Sequence, residues 1–232
     1  MILVVAATEI EMAPFIETMG RKHTSRPIGN SWKSLIAGVG PVSTMQNLTR
    51  HLLQEEGKLD LIVNLGIAGA YIQPIQRDQP QLLDLCLAQR EILGDFGICL
   101  ENEIDYLDPG LTGPLVFDLG PGIKSRAMNI LTDAYYPVHE GTFITVNSVT
   151  GTRARGDFLQ QRWGALCENM EGASVAKLCA EFSIPCVELR CISNYVEDRD
   201  PSSWKLSQAC DKVAEAGAYL VNELIENYEK FA

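Results

Sequence analysis

The hydrophobic positions of the chain fall into two patterns. Short, continuously apolar runs rich in β-branched residues predict strands that are covered on both faces. Runs whose apolar residues recur three and four positions apart predict helices that bury one side. The predicted strands cover residues 2–7, 32–37, 59–65, 82–88, 115–118, 142–149 and 185–192. The predicted helices cover residues 8–20, 41–56, 173–182 and 203–228.

Capping and stop signals support these helices. Thr8 can cap the first helix, Gly20 stands where that helix should stop, and Pro41 suits the first position of the second helix. Because strands alternate with helices, we expect an α/β protein with a single domain over residues 1–232. The segment 71–121 is rich in Pro, Gly and Asp, and its pattern leaves the strand order open.

Composition narrows the classes of partner. The 232 residues include 19 Lys and Arg against 30 Asp and Glu, so the formal net charge of -11 repels nucleic acid. The seven cysteines form no C-x-x-C pair and lie mostly in apolar stretches, which predicts buried free thiols in a reducing compartment. No apolar run has the length of a membrane span or the pattern of a signal peptide. We therefore expect a soluble, cytoplasmic protein without nucleic-acid or membrane partners.

Polar groups follow several predicted strands, which is where α/β proteins bind ligands. The segments are Ala-Ala-Thr-Glu-Ile-Glu at 6–11, Glu-Asn-Met-Glu-Gly-Ala at 168–173 and Arg-Cys-Ile-Ser-Asn at 190–194. A fourth segment, Gly-Ile-Ala-Gly-Ala at 66–70, predicts a small-residue turn that lets the backbone approach a ligand closely.

Together these four segments resemble the methylthioadenosine/S-adenosylhomocysteine nucleosidases and, more closely, the futalosine hydrolases of menaquinone synthesis. Both belong to the purine-nucleoside phosphorylase superfamily. The resemblance covers nearly the whole chain in order and is weak only over 71–121. It implies a three-layer α/β/α sandwich with a mixed central sheet, like that of the nucleoside phosphorylases. It also implies a cofactor-free hydrolase that releases hypoxanthine from the small nucleoside futalosine, and a homodimer or higher oligomer.

The resemblance assigns three catalytic residues. Glu11 stands where the family has the carboxylate that activates water; taken alone, it is more typical of a solvated helix-start acid that complements the helix dipole. Glu171 stands where the family holds the ribose hydroxyls, a role that suits a carboxylate with two acceptor oxygens; the alternative is a residue that merely starts helix 173–182.

Asn194 stands where the nucleosidases have an Asp that protonates the purine. An amide can bond a six-oxopurine but cannot act as a general acid. The alternative for Asn194 is a turn residue that bonds its own backbone.

Further substrate contacts follow from the same resemblance. They are predicted for Ala7, Gly66, Ile67, Ala68, Gly69, Gly151, Thr152, Asn169 and Met170. The nucleosidases stack an aromatic residue on the base in the region of 151–156, but this chain has none there. Arg153 and Arg155 occupy that region, either as ligands for a substrate carboxylate or as surface residues. No metal site is expected, because His23, His51 and His139 lack ligand spacing.

Alternatives to a futalosine hydrolase remain open at this point. A phosphorylase of this superfamily has an arginine just before the glycine segment, whereas here Val63, Asn64 and Leu65 precede Gly66. A phosphate dianion would then lack its charge partner. A methylthioadenosine/S-adenosylhomocysteine nucleosidase and a nucleoside-binding protein without catalytic activity are the other two alternatives.

Overall fold

The computed structural model describes residues 1–21, 31–55, 57–74, 79–100 and 103–226. The strands in these ranges are β1 (Ile2–Ala6), β2 (Trp32–Ile36), β3 (Leu61–Tyr71), β4 (Leu85–Leu93), β5 (Gly97–Cys99), β6 (Ile104–Tyr106), β7 (Val116–Asp118), β8 (Val138–Thr145), β9 (Ala165–Asn169) and β10 (Cys186–Val196). The helices are α1 (Glu9–Arg21), α2 (Pro41–Gln54), α3 (Pro109–Thr112), α4 (Pro121–Asp133), α5 (Arg153–Trp163), α6 (Gly172–Glu181) and α7 (Leu206–Glu226).

One mixed sheet organises the fold. Strands β2, β1 and β3 pair in parallel, and β3 continues in parallel with β10 and in antiparallel with β9. Strand β8 pairs in parallel with both β9 and β4, and β4 pairs in antiparallel with β10. The strands β3, β9, β8, β4 and β10 therefore close into a ring. The predicted mixed sheet is confirmed, and the ring places β4, from the segment of unpredicted order, between β8 and β10.

Helices cover the sheet on both faces. The side chains of Ile2, Val4 and Ala6 in β1 pack into a cluster with residues of α1, α4 and α7. Those of Leu3 and Val5 pack into a second cluster with residues of α2 and α6. This alternation has the two-residue period of a strand that is buried on both faces. The predicted three-layer arrangement is confirmed.

The predicted turn over residues 66–70 is wrong, because β3 continues through this segment to Tyr71. Its residues pair with β10 from Gly66 opposite Arg190 to Tyr71 opposite Val196, with a bulge between Ile192 and Asn194. Small side chains here let neighbouring strands and buried side chains approach closely, rather than turn the chain. Strand β8 is also displaced from its predicted range and begins at Val138.

The four predicted helices are present with small shifts at their ends. Helix α1 ends at Arg21, one residue past Gly20, and α2 ends at Gln54. Helix α7 begins at Leu206, after a short 3₁₀ turn at Pro201–Ser203. The predicted ends near residues 56 and 228, and also His23, lie outside the described residues. No helix in the described ranges combines the length and the apolar character that a bilayer crossing requires.

Candidate active site

A cavity of about 350 Å³ opens where β1, β9 and β10 end. It brings together residues from separate parts of the sequence, including most of those predicted to contact a substrate. The predicted residues that line it are Ala7, Glu11, Ile67, Ala68, Gly69, Asn169, Met170, Glu171 and Asn194. The small side chains of β3 form one wall, and the two glutamates supply charge at the cavity surface.

Glu11 lies in the first turn of α1 and is 8% exposed. Its Oε2 accepts hydrogen bonds from Thr8 N at 3.1 Å and Thr8 Oγ1 at 2.8 Å, and its own backbone N donates to Thr8 Oγ1 at 3.4 Å. This reciprocal arrangement is a capping box. Its Oε1 accepts from Ile67 N at 3.2 Å. Glu11 therefore caps the helix and also presents a fixed carboxylate to the cavity.

Glu171 immediately precedes α6 and is 5% exposed. Its Oε1 accepts a hydrogen bond from Gly40 N at 3.1 Å. Gly40 caps α2 with a φ of 86°, which a residue with a side chain rarely adopts. Burial raises the pKa of Glu171 despite the opposing effect of Arg190. The short Gly38-Val39-Gly40 segment, which carries no predicted role, thus supplies both a cavity wall at Val39 and a donor to Glu171.

Arg190 lies in β10 beneath the cavity and is 1% exposed. Its Nε contacts Glu188 Oε1 at 2.9 Å, and its Nη1 contacts Glu171 Oε2 and Ile67 O, each at 3.4 Å. Burial by itself would lower the pKa of Arg190, but the charges of Glu188 and Glu171 outweigh it and raise the pKa above its ordinary value. Arg190 is therefore a permanent, anchored cation at the base of the site, a role that its sequence context does not predict.

Asn194 lies inside β10, next to the bulge, rather than in a turn. Its Oδ1 accepts from Ser193 Oγ at 2.8 Å, and its Nδ2 donates to Tyr195 O at 3.1 Å. Each of these side-chain atoms can form a further hydrogen bond, and Asn194 lines the cavity. A Cβ at Gly69 would come within 3.1 Å of Asn194 Nδ2, so the glycine leaves the space that the amide occupies.

Three predicted contact residues do not line the cavity. Gly66 lies behind its wall, where a Cβ would collide with the side chains of Arg190 and Glu11. Gly151 accepts a backbone hydrogen bond from Arg199 N at 3.2 Å. Thr152 caps α5 through its side chain and faces a separate, smaller pocket.

The two arginines of the 151–156 segment also lie away from the cavity. Arg153 Nε contacts Asp157 Oδ1 at 2.6 Å on the surface of α5. Arg155 Nη2 contacts Asp95 Oδ2 at 3.3 Å and lines the smaller pocket beside Thr152. Both guanidinium groups already have a carboxylate partner within this chain.

An aromatic residue reaches the cavity from an unpredicted position. Trp204 lines it together with Leu206 and Cys210 of α7. The guanidinium of Arg199, which also lines the cavity, stacks over the Trp204 ring with its carbon 4.6 Å from the ring centroid. Trp204 lies ten residues after Asn194 in the chain. It reaches the site because the backbone returns to the mouth of the cavity, which no local sequence pattern indicates.

The structure describes two of the three histidines, His51 and His139, and they lie far apart in the chain. His51 Nε2 is 3.6 Å from Glu55 Oε2 in α2, and His139 Nε2 is 3.0 Å from Asp84 Oδ2 beside β8. Within the described ranges, no three His, Cys, Asp or Glu side chains are grouped as metal ligands.

Comparisons with known proteins agree with the fold. Residues 2–226 match the sequence profile of the phosphorylase superfamily. A futalosine hydrolase from Streptomyces coelicolor is 32% identical over 209 residues, which cover 88% of this chain and 84% of that protein. A futalosine hydrolase from Thermus thermophilus is 28% identical and covers 84% and 83%.

A solved structure shares the fold. The native structure of futalosine hydrolase from Helicobacter pylori strain 26695 superimposes with a TM-score of 0.80 at 20% identity, covering 96% of this chain and 97% of that chain. The chain belongs to the phosphorylase superfamily and, within it, to the N-glycosyl hydrolases represented by the futalosine hydrolases.

Proposed function

We propose that this protein hydrolyses the N-glycosidic bond of futalosine and releases hypoxanthine. The observation that carries the proposal is the placement of Glu11 and Glu171 in one cavity, each held by a backbone N–H, with Asn194 in the same cavity. The relatives from Streptomyces coelicolor and Thermus thermophilus, which are futalosine hydrolases, support the choice of substrate.

The three side chains divide the chemistry among them. Glu171 accepts hydrogen bonds from the ribose hydroxyls, and its charge stabilises the positive charge that develops on the sugar as the bond to the base lengthens. Glu11 orients a water molecule and takes its proton as the water oxygen bonds to the anomeric carbon. The electron pair of the broken bond moves onto the purine, which takes up a proton from solvent to leave as neutral hypoxanthine, while the amide of Asn194 donates a hydrogen bond to the six-oxo group.

The charges around the cavity favour water over phosphate as the nucleophile. Arg190 is the buried cation beneath the site, and its guanidinium is already paired with Glu188 and Glu171. Glu11 adds a further carboxylate at the cavity surface. A phosphate dianion placed there would meet carboxylates, and none of the described residues at the site supplies an unpaired buried cation to offset them.

A chromatographic assay of the free base tests the proposal. Futalosine, inosine, methylthioadenosine and S-adenosylhomocysteine are compared in parallel, with and without added phosphate. We expect hypoxanthine from futalosine at a rate independent of phosphate. An absolute phosphate requirement would instead identify a phosphorylase, and preferential release of adenine a methylthioadenosine/S-adenosylhomocysteine nucleosidase. Thermal protection by nucleosides without turnover of any of them would identify a binding protein.

Changing Asn194 to Asp tests the selection of the base. An ionised carboxylate has no donor for the six-oxo group, so two acceptors would face each other in a partly buried site at a cost of about 1–3 kcal/mol. We expect kcat/KM for futalosine to fall accordingly, and the ratio of kcat/KM for futalosine to that for its six-amino counterpart to move toward the aminopurine. An unchanged ratio would show that Asn194 does not select the base.

We also propose that the protein is a homodimer whose interface includes the exposed face of α2. Val42 and Leu53 on this helix are 77% and 72% exposed and lie with Met45 on one apolar face, and such contiguous patches mark interaction surfaces. Val39 and Ile10 are exposed as well and line the cavity, so a second copy on this face would also cover its mouth. Analytical ultracentrifugation should show a dimer that Val42→Glu dissociates; a wild-type monomer at micromolar concentration contradicts the proposal.

We also propose a cytoplasmic location and a single domain spanning residues 1–232. The state of the cysteines supports the proposed location. All seven cysteines are free, and six of them are buried. Free buried thiols are typical of reducing compartments.

A further inference from the structure

A second pair of glutamates lies behind the ribose-binding end of the proposed site. Glu91 in β4 is 0% exposed, and Glu188 in β10 is 1% exposed. Neither lines the cavity, and the proposed reaction uses neither of them directly. Fully buried glutamates are rare unless they are paired or hydrogen-bonded. Their position next to Arg190 and Asn169 connects them to Glu171.

The two carboxyl groups lie close together around Gly172, the first residue of α6. An oxygen of each lies within 2.6 Å of the position that a Cβ on Gly172 would occupy. The two oxygens are therefore roughly 5 Å apart or less, a separation at which one negative charge strongly disfavours a second. Gly172 is required here because a side chain would displace both carboxyl groups.

The surrounding charges cannot neutralise four carboxylates. Glu11, Glu171, Glu188 and Glu91 converge on this region, and among the described residues Arg190 is the cation there, paired with Glu171 and Glu188. Taking an additional unpaired carboxylate out of water is so costly that such a group binds a proton instead.

The hydrogen bonds indicate which of the buried pair holds the proton. Glu188 Oε1 accepts a hydrogen bond from the charged Nε of Arg190 at 2.9 Å, and this contact favours the ionised form of Glu188. Among the described residues, the hydrogen-bond partners of Glu91 are neutral: Asn169 Nδ2 at 2.5 Å and Thr145 Oγ1 at 2.8 Å. Burial, and after it the charge of Glu188, raises the pKa of Glu91 well above its ordinary value.

We propose that Glu91 is a neutral carboxylic acid at neutral pH and acts as a positioning residue for Glu171. In this state one oxygen accepts from Asn169 Nδ2, and the other donates its proton to Thr145 Oγ1, which also accepts from Ala173 N at 2.7 Å. The Thr145 hydroxyl then donates to Asn169 Oδ1 at 3.3 Å. Every polar group in this chain of contacts has a partner.

Asn169 transmits this arrangement to the site. Its Oδ1 accepts hydrogen bonds from Glu171 N at 2.9 Å and Gly172 N at 2.7 Å, which fixes the backbone that carries the Glu171 carboxylate. The orientation of the Asn169 amide depends on an acceptor at Glu91 for its Nδ2. A neutral Glu91 supplies that acceptor and leaves the single charge of Glu188 available to hold Arg190.

Infrared spectroscopy tests the protonation state without substrate. A carboxylic acid has a C=O stretching band that a carboxylate lacks, so the difference spectrum between wild type and Glu91→Gln at pH 7 should show the loss of one such band. A difference spectrum that shows the loss of a carboxylate band instead would overturn the proposal. Because this measurement uses the unliganded protein, its outcome does not depend on the proposed function.

Kinetics tests the positioning role, which rests on the proposed function. Glu91→Ala should lower kcat/KM for futalosine by about 10- to 100-fold, because a misplaced catalytic group costs rate steeply. Glu91→Gln should keep kcat/KM for futalosine within about threefold of the wild-type value, because an amide has both a donor and an acceptor, as the neutral acid has. The matched change Glu188→Gln removes a true charge and should resemble Glu91→Ala.

The comparison between the two Gln variants is decisive even if Glu91→Ala does not fold. Equal losses in Glu91→Gln and Glu188→Gln, or a larger loss in Glu91→Gln, would overturn the assignment of the proton to Glu91. If the wild type turns over no nucleoside, the proposed function fails, and the infrared spectrum still decides the protonation of Glu91.

Discussion

Replacing Glu11 with Gln is expected to lower kcat by about two to four orders of magnitude, the usual contribution of a positioned general base. The amide keeps the size of the side chain and retains an oxygen that can accept from Thr8 N or Ile67 N, so the geometry of the site should persist. The amide cannot take a proton from water at neutral pH. Substrate binding, measured by equilibrium titration of the inactive variant, should therefore stay close to that of the wild type.

The matched control for this change is Glu9→Gln. Glu9 lies in the same first turn of α1 but is exposed and does not line the cavity. Both variants remove one negative charge from the start of the helix, so a general effect on the helix dipole would appear equally in both. A kcat of Glu11→Gln that matches that of Glu9→Gln would reduce Glu11 to a capping residue.

Glu11 illustrates what a sequence can establish about this site. The spacing of Thr8 and Glu11 is itself the signature of a capping box, and the structure contains that box. The catalytic interpretation depended on the other matching segments. The structure adds a contact from the backbone N of Ile67 in β3, more than fifty residues away. A capping role and a catalytic role are compatible, because the two carboxylate oxygens contact different partners.

The glycine-rich segment shows where local pattern misleads. Gly66 and Gly69 suggested a turn, because glycine is the usual residue of turns. In the structure both lie within β3, where Gly66 makes room for Arg190 and Gly69 for Asn194. The side chains that require these glycines lie in β10, more than a hundred positions further along the chain. The pattern within residues 66–70 therefore carries no information about this requirement.

Arg190 was missed for a related reason. Its sequence neighbours in β10 are apolar or uncharged except for Glu188, so an arginine there gives no local sign of its role. Its partners Glu171 and Ile67 come from other elements, and the pairing of β3 with both β10 and β9 brings them together. The buried strands β1, β3 and β10 were predicted from continuous apolar runs, which indicate burial on both faces, whereas β9 was not predicted.

Replacing Glu171 with Gln should damage binding and turnover together, with kcat/KM for futalosine falling by about 100- to 1000-fold. The carboxylate accepts from the ribose hydroxyls before and during bond cleavage, so its loss raises KM and lowers kcat. It also leaves Arg190 with Glu188 as its remaining close carboxylate partner.

The pH profile separates this role from a purely structural one. Burial raises the pKa of Glu171 above its ordinary value, so the ionised form is lost as the pH falls through that raised pKa. The wild-type kcat/KM should therefore decline on the acid side at that raised pKa, and Glu171→Gln should lack this step. The control is Glu181→Gln at the exposed end of the same helix, which should retain the wild-type profile. An acid limb that persists unchanged in Glu171→Gln, with KM near that of wild type, would show that the ribose hydroxyls bind elsewhere.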